Sequence, residues 1–416
     1  DPAERAAAET DLLENRVKAL VATSALGMGL DKPDLAFVVH LGAPSSPIAY
    51  YQQVGRAGRA TERAEVVLLP GAQDAQIWDW FAAQSFPAEA QVRAVLAALD
   101  EHGTLSTARL ETFVDLRRSR LEAMLKVLDV DGAVRRVQGG WQATGAGWSY
   151  DAARYERVEE ARRAEQAAML EYERTEGCRL AFLRRALDDP GLDDDWRCGR
   201  CDRCGGSAPS LVPGTDAIEA ARDRLAVPGV EISPRRQWPT GMSTLGLALS
   251  GRIPPEEQAA PGRAVGRLDS LGWGGVLREL FATPEDPGEL PAALRRPVLE
   301  TLDAWSPEVT GIALVGSATR PALLEHLATG LARHLGVPIL ARLEMRGDPA
   351  RHDVNSAQRL AGVARRLDLV PHESLEGAHV LLVDDRTDSG WTLTVAARLV
   401  RHAGAASVHP FVLAIG

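Results

Sequence analysis

Lysine is nearly missing from this chain. Of its 47 lysine and arginine residues across 416 positions, only Lys18, Lys32 and Lys126 are lysine. Any phosphate contact after residue 126 therefore falls to arginine, histidine, backbone N–H or a metal. No G-x-x-x-x-G-K-[ST] turn occurs, and no acidic box accompanies one. The glycine-rich loop and lysine that cradle triphosphates are thus absent from this sequence. A basic surplus is missing too. The net charge is -10, so any contact with a polyanion must come from local patches of arginine. No apolar run approaches the roughly 20 residues needed to cross a bilayer, and no signal segment is evident, so a cytoplasmic location is expected. Cysteine is limited to four residues, all between positions 178 and 204. What remains is an ordinary globular composition, 45% hydrophobic and 25% charged, with room for two to four domains.

The first chemical signal lies near the start. Val17 to Ala22 is an apolar run that predicts a buried strand. It leads into Ala22-Thr23-Ser24-Ala25-Leu26-Gly27-Met28-Gly29-Leu30-Asp31-Lys32-Pro33. Gln53-Val54-Gly55-Arg56-Ala57-Gly58-Arg59 follows. Glycines allow close approach of backbone to an anion. Arg56 and Arg59, three residues apart, share one helix face or its leading loop and can both reach one phosphate. The pair of motifs resembles motifs V and VI of superfamily 2 helicases, and the wording GMGLDKPDLAFVVH…YYQQVGRAGRA resembles the RecQ family. That resemblance implies that Arg56 and Arg59 contact the γ-phosphate of ATP bound in a preceding RecA-like domain, with Gln53 beside them. It also implies that Gly29 and Asp31 couple ATP to the DNA strand. The chain opens on a helix-like segment directly before the first strand. A C-terminal part of a longer protein, with the ATP-binding half upstream, is therefore expected. Residues 1–86 then form the rear of the second RecA-like domain, as helix, strand, strand (35–40), helix (48–54), strand (64–69) and a helix holding Ile77, Trp78, Trp80 and Phe81.

Residues 87–148 read as three helices and a hairpin. Val92, Val95, Leu96 and Leu99 stripe one helix, Ser106 caps a short second, and Leu121, Met124, Leu125 and Leu128 stripe a third. Residues 133–144 form two short strands about Gly139-Gly140. This pattern predicts a winged helix. Arg117, Arg118, Arg120, Arg135 and Arg136 are candidate DNA-phosphate contacts, and Trp141 either stacks on a base or packs. A structural spacer is the alternative. RecQ proteins place a zinc module before the winged helix, whereas here the order is reversed, so wing roles do not transfer residue by residue.

Residues 149–207 form a charged helical stretch ending in Cys178 and then Cys198-x-x-Cys201-x-x-Cys204. A chain without a disulfide-forming context uses such spacing for tetrahedral thiolate coordination, and structural zinc is expected. An iron–sulfur cluster is the alternative for four thiolates. The RecQ family carries the same Cys…CxxCxxC module on a helical hairpin.

Residues 208–416 hold a Gly/Ser/Pro linker, a stretch to 305 with little chemical signal, and an α/β unit from 308. That unit reads as strand 309–315, loop 316–321, helix 322–335, strand 337–340, a long polar stretch 342–368, strand 380–383, helix 392–402 and strand 407–414. Val380-Leu381-Leu382-Val383-Asp384-Asp385-Arg386-Thr387-Asp388-Ser389-Gly390-Trp391-Thr392 resembles the PRPP motif of type I phosphoribosyltransferases, the ComF-like branch in particular. The resemblance implies that Asp384 and Asp385 bind ribose hydroxyls. Ser389, Gly390 and Thr392 would wrap a 5′-phosphate at a helix N-terminus, and Ser317, Thr319 and Arg320 would meet pyrophosphate. Asp388 beside a phosphate, the bulk of Trp391, and the transfer of any loop-lysine role to Arg342, Arg346 or Arg351 argue for weak transfer.

The whole is expected to be a multidomain α/β protein: partial RecA-like domain, winged helix, helical-hairpin zinc module and phosphoribosyltransferase-like domain. The intact protein would be a 3′-to-5′ ATP-dependent DNA helicase, using ATP and magnesium and acting at the bacterial nucleoid in DNA repair. A ribose phosphate or PRPP would bind its C-terminal domain, which senses or docks. The alternatives are an active phosphoribosyltransferase with a DNA-binding attachment, and a non-catalytic module that recruits partners to DNA.

Overall fold

A computed structural model describes residues 2–23, 31–83, 87–206, 213–347 and 355–416. In chain order the first elements are α1 (Pro2–Leu13), β1 (Phe37–Leu41), α2 (Pro47–Val54), β2 (Glu65–Leu69) and α3 (Asp74–Ala83). Next come α4 (Glu89–His102), α5 (Thr107–Leu110), α6 (Arg118–Val130), β3 (Val134–Val137), β4 (Gly140–Ala143), α7 (Ala152–Arg174) and α8 (Arg179–Arg185), with a 3-10 turn at Asp202–Cys204. The chain continues with α9 (Thr215–Leu225), β5 (Val230–Ile232), β6 (Gly262–Arg267), α10 (Gly274–Ala282), α11 (Ala292–Trp305), β7 (Gly311–Val315) and α12 (Pro321–Leu335). It closes with β8 (Ile339–Met345), α13 (Ser356–Ala364), β9 (Leu367–Pro371), β10 (His379–Thr387), α14 (Trp391–His402) and β11 (Ser407–Ile415). Among the described residues no helix is long and apolar enough to cross a membrane.

These elements fall into two compact units. One joins residues 1–86 to 149–212, and the other joins 87–148 to 213–416. The three helices and hairpin are thus inserted in sequence between two halves of the first unit. The reversed module order therefore does not separate the cysteine-bearing helices from the helicase-like part in space.

In the first unit β1 and β2 pair in parallel, with Val39 beside Val67. One face of this ribbon is covered. His40 meets Tyr50 edge-on at 5.1 Å, and Tyr50, Trp78, Met169, Tyr172 and Leu183 form one core. Asp74 fixes the turn over that core by accepting from the N–H groups of Ala43 (2.6 Å) and Gly71 (2.7 Å). The other face leaves Phe37, Val39 and Leu41 exposed, unlike parallel sheets that are buried on both faces. The strand expected at 17–22 is not formed. Those residues are irregular and Val21 is 94% exposed. Its apolar run is real, but among the described residues no strand pairs with it, and an unpaired strand has no ladder to hold it. Gly29, with residues 24–30, lies outside the described residues.

In the second unit, α4 to α6 and the antiparallel β3–β4 hairpin enclose Val92, Leu99, Leu110, Leu121, Met124 and Leu128, all essentially inaccessible. The rest is a seven-stranded sheet ordered β5-β6-β11-β10-β7-β8-β9. Its five inner strands are parallel, and β5 and β9 are antiparallel edges. The strand β6 was not expected from Gly-Arg-Ala-Val-Gly-Arg. It fits because a Cβ at Gly262 would lie 2.4 Å from the Pro410 carbonyl oxygen, so only glycine allows that approach. Similarly α13 and β9 lie in what reads in sequence as a plain polar stretch.

From β7 the chain crosses through α12 to β8 on one side. From β10 it crosses through α14 to β11 on the other. The residues of α12 pack with Leu381, Val383 and Phe411, whereas those of α14 pack with Val380, Leu382 and Val412. The two helices thus cover opposite faces, and the strand order reverses between β10 and β7. Such a switch point opens a crevice at the carboxyl ends of the strands, the usual ligand position in sheets of this kind.

Candidate sugar-phosphate crevice and cysteine centre

The crevice is built from the ends of β7 and β10. Asp384 and Asp385 end the apolar run of β10 and are 6% and 8% exposed. The Asp385 N–H donates to Asp384 Oδ1 at 2.8 Å, and Ser317 Oγ, in the loop after β7, donates to Asp385 Oδ2 at 3.3 Å. Ser317 also accepts from the Arg320 N–H at 3.0 Å, which closes that loop at the start of α12. Burial raises the Asp384 carboxyl well above the ordinary carboxylate range, and the adjacent Asp385 pushes the same way. Burial raises Asp385 as well, opposed by the N–H and guanidinium of Arg386, the Ser317 hydroxyl and the charge of Arg320. Two carboxylates are thus held out of water at strand ends, where hydroxyl donors or a cation would satisfy them.

The next loop leads into α14. Gly390 takes a left-handed φ of 75° as its N-cap residue, a conformation that glycine adopts without strain. Arg235 donates to the Ser389 carbonyl oxygen from Nε (3.0 Å) and Nη2 (2.6 Å) and stands 5.0 Å over the Trp391 ring. Across a trans peptide C=O and N–H point oppositely, so the Gly390 N–H is turned away from Arg235. Sequence reasoning missed Arg235, because it lies 154 residues from the loop it holds.

Several expectations are corrected here. Asp388 does not stand uncompensated. Arg359 of α13 forms its ion pair, while Arg386 lies 5.6 Å over the Phe281 ring. Trp391 does not crowd the loop. It is 2% exposed, stacks 6.2 Å from Trp238, and donates from Nε1 to Ser356 Oγ at 2.7 Å. Arg320 is largely tied down: it is buried and donates to the carbonyls of Phe281 (3.2 Å) and Thr283 (2.8 Å) and to Thr319 Oγ1 (3.4 Å). Arg342 and Arg346 are committed to Glu325 and Asp368, and Arg351 lies outside the described residues. Thr319 contacts Ser317 at 3.4 Å, and Thr392 lies in the first turn of α14.

In the first unit the structure joins Arg59 to Asp31, Nη1 to Oδ1 at 2.8 Å. Gln53 Oε1 meets His40 Nε2 at 2.7 Å, and Arg56 lies in the turn after α2. On the three-helix insert, Arg118 pairs with Glu122. Arg117 is the N-cap residue of α6. Arg135 donates to Gln142 Oε1 at 3.0 Å. Trp141 is 6% exposed, donates to Thr107 Oγ1 at 3.3 Å, and carries Arg136 5.8 Å over its ring. Trp141 therefore packs, and offers no free face to a base.

The four cysteines converge. The sulfurs of Cys178, Cys198, Cys201 and Cys204 lie within 4.8 Å of one another, and those of Cys198 and Cys204 are 4.0 Å apart. Metal–sulfur bonds of about 2.3 Å put tetrahedron corners roughly 3.8 Å apart, so the set fits one ion with no open position. Backbone N–H groups of Ala181 and Cys198 point at Cys178 Sγ (3.4 and 3.3 Å), and that of Cys201 at Cys198 Sγ (3.3 Å). Burial opposes the Cys178 thiolate, yet these N–H groups bring its thiol down to about 6. Burial pushes Cys204 up to about 11. Arg179 latches the centre to α7, bonding Asp202 (3.0 Å) and the Tyr172 carbonyl (2.5 Å).

Comparison with known proteins agrees with two parts of this picture. Residues 1–61 match the helicase conserved C-terminal domain family, and residues 326–415 match the phosphoribosyl transferase domain family. The ATP-dependent DNA helicase RecQ of Bacillus subtilis is 42% identical over 79 residues, 19% of this chain and 13% of the relative. That of Synechocystis is 28% identical over 218 residues, 49% of this chain and 42% of the relative. The match therefore spans less than half of either relative. Among solved structures, purine phosphoribosyltransferase from Pyrococcus horikoshii aligns at 21% identity, covering 34% of this chain and 74% of that one, TM-score 0.21. Adenine phosphoribosyl transferase from Trypanosoma brucei aligns at 16%, covering 39% and 84%, TM-score 0.23.

Two outcomes follow from this geometry. The purified chain should carry about one zinc, and Cys201→Ser should lose it and destabilise α7 and α8, because metal binding there is folding free energy; elemental analysis without zinc contradicts this. Asp384 has its folded-state pKa raised, so the folded chain holds the proton more tightly than the unfolded one. Its stabilising contribution is full below the ordinary value of 3.8 and is lost as pH rises through the raised value. Asp384→Asn should therefore raise the melting temperature at neutral pH and flatten this part of the pH profile. An unchanged profile contradicts the burial account.

Proposed function

We propose, from a chain that joins a RecQ-related helicase C-terminal region to a phosphoribosyltransferase domain, that the intact protein is an ATP-driven DNA helicase carrying a sugar-phosphate site. The observation that carries the first part is the juxtaposition of Arg59 and Asp31, one from each helicase-like motif, across 28 residues of chain. Arg59 is half-exposed in this pair, so it is free to exchange Asp31 for a γ-phosphate presented by an ATP-binding domain. Asp31 would then be released toward the DNA strand, which ties hydrolysis to movement. Arg56 would act as the second cation at the same phosphate. The open face of Phe37, Val39 and Leu41 fits a RecA-like sheet that is continued by further structure. The three helices and hairpin are read as a winged helix. Arg117, Arg118, Arg135 and Arg136 would meet DNA phosphates there, and Trp141 would keep the hairpin in place. The cysteine centre would hold zinc for structure alone.

For the crevice, the paired carboxylates would accept the ribose hydroxyls and the Ser389–Thr392 loop would receive the 5′-phosphate. Magnesium, when bound with such a ligand, would supply charge to the pyrophosphate. Neutralisation of Asp388 by Arg359 and the burial of Trp391 weaken two of the reasons to expect weak transfer. Binding of a ribose phosphate is thus the favoured reading, with no acceptor assigned.

Two measurements test these readings. In the intact protein Arg59→Ala should cut DNA-stimulated ATP turnover on the order of 10³-fold, while the present chain alone should hydrolyse none; full turnover in the variant contradicts the assignment. Calorimetry should detect PRPP with magnesium, and Asp385→Asn should weaken it about tenfold or more, the worth of a charged hydrogen bond. Equal affinity for the variant would remove Asp385 from the site.

A further inference from the structure

The helix α13 touches two things at once. At its N-cap, Asn355 is 3% exposed. Its Oδ1 accepts from the Gln358 N–H at 3.0 Å, which caps the helix. Its Nδ2 donates across to the carbonyls of Glu111 and Val114, the latter at 3.1 Å. Those carbonyls belong to the turn between α5 and α6, directly before Arg117 and Arg118. The segment at Gly241 reaches the same turn: a Cβ there would lie 2.7 Å from Thr112 Cγ2. In the first turn of α13, Ser356 Oγ accepts from Trp391 and Arg359 pairs with Asp388. Both partners belong to the loop and first helical turn after Asp385.

We infer that α13 couples the sugar-phosphate crevice to the DNA-binding insert, so that a ribose phosphate bound at Asp384–Thr392 strengthens DNA binding through Asn355. This rests on the reading of the crevice given above. The difference between the two states is electrostatic. A phosphate entering the loop adds between one and two negative charges beside Asp388. Arg359 is then the counter-ion of both groups, and α13 is drawn more firmly onto the loop. A firmer α13 fixes the Glu111–Val114 turn, and with it the start of α6. Arg117 and Arg118 are then ordered before DNA arrives, which lowers the ordering cost of binding. The coupling must be reciprocal, since each ligand changes the affinity of the other by one factor.

The test uses the full chain with a fluorescein-labelled partial duplex read by anisotropy, titrated with and without PRPP and magnesium. PRPP should tighten DNA binding about fivefold or more, the lower end of common coupling factors, and DNA should tighten PRPP by the same factor in calorimetry. Asn355→Asp keeps the cap acceptor but loses the donor to the turn. It should still bind PRPP with unchanged affinity, while the coupling factor falls to one. PRPP heat with DNA affinity unchanged or weakened overturns the inference, as does coupling that survives in Asn355→Asp. Absence of PRPP heat overturns the reading of the crevice instead, and hydrogen exchange then decides the link. Arg359→Gln should raise exchange at the amides of residues 111–116; protection equal to that of the unaltered chain overturns it.

Discussion

Two carboxylates buried side by side at the end of one parallel strand are the constraint around which the second unit is arranged. Leaving them there is costly unless something answers their charge. The sheet places them at its switch point, where the β7 loop brings the Ser317 hydroxyl to Asp385. Arg386 and Arg320 offset part of their charge, and a ligand with several hydroxyls, or a cation, would answer the rest. The neighbouring loop shows the same economy with arginine in place of lysine. Arg235 fixes the Ser389 carbonyl, Arg359 answers Asp388, and Arg342 and Arg346 are tied to acids on their own sheet face. Arginine suits such fixed contacts because its planar donors hold a geometry that a lysine ammonium does not.

The first unit solves a different problem. A two-stranded parallel ribbon has little core of its own, and here aromatic rings supply it. Tyr50 of α2 meets Tyr172 of α7 at 5.3 Å, and Tyr172 meets Phe182 of α8 at 5.6 Å. The four cysteines converge beside the pair of helices that delivers those rings, and Arg179 ties Asp202 to the Tyr172 carbonyl there. The insert meets instead the start of α13 at Asn355 and the segment at Gly241, both in the second unit.

Much of this was legible in sequence where one residue type has one use. CxxCxxC with a fourth cysteine can converge on a metal, and an apolar strand ending in Asp-Asp before Ser-Gly can present acids at a strand end. The three helices and hairpin between 89 and 143 follow directly from their apolar spacing. Legibility failed where the decisive partner is distant. Nothing local tells that Trp391 turns inward onto Trp238, that Arg320 is consumed by the carbonyls of Phe281 and Thr283, or that Arg235 serves a loop far along the chain. β6 was hidden because its two glycines, at 262 and 266, erase the apolar alternation that marks a strand, although close approach to the Pro410 carbonyl demands the first. The run Val17–Ala22 erred in the other direction. A β-like composition makes a strand only when a partner strand is beside it.

The central claim is that the paired carboxylates and the loop after them hold a ribose phosphate. The most direct measurement is a crystal structure of the chain grown with PRPP and magnesium. The account predicts ribose hydroxyl density on Asp384 and Asp385, with the 5′-phosphate on the backbone N–H groups between Asp388 and Thr392. Density elsewhere on the sheet, with these acids still bonded only to Ser317 and the backbone, would contradict it.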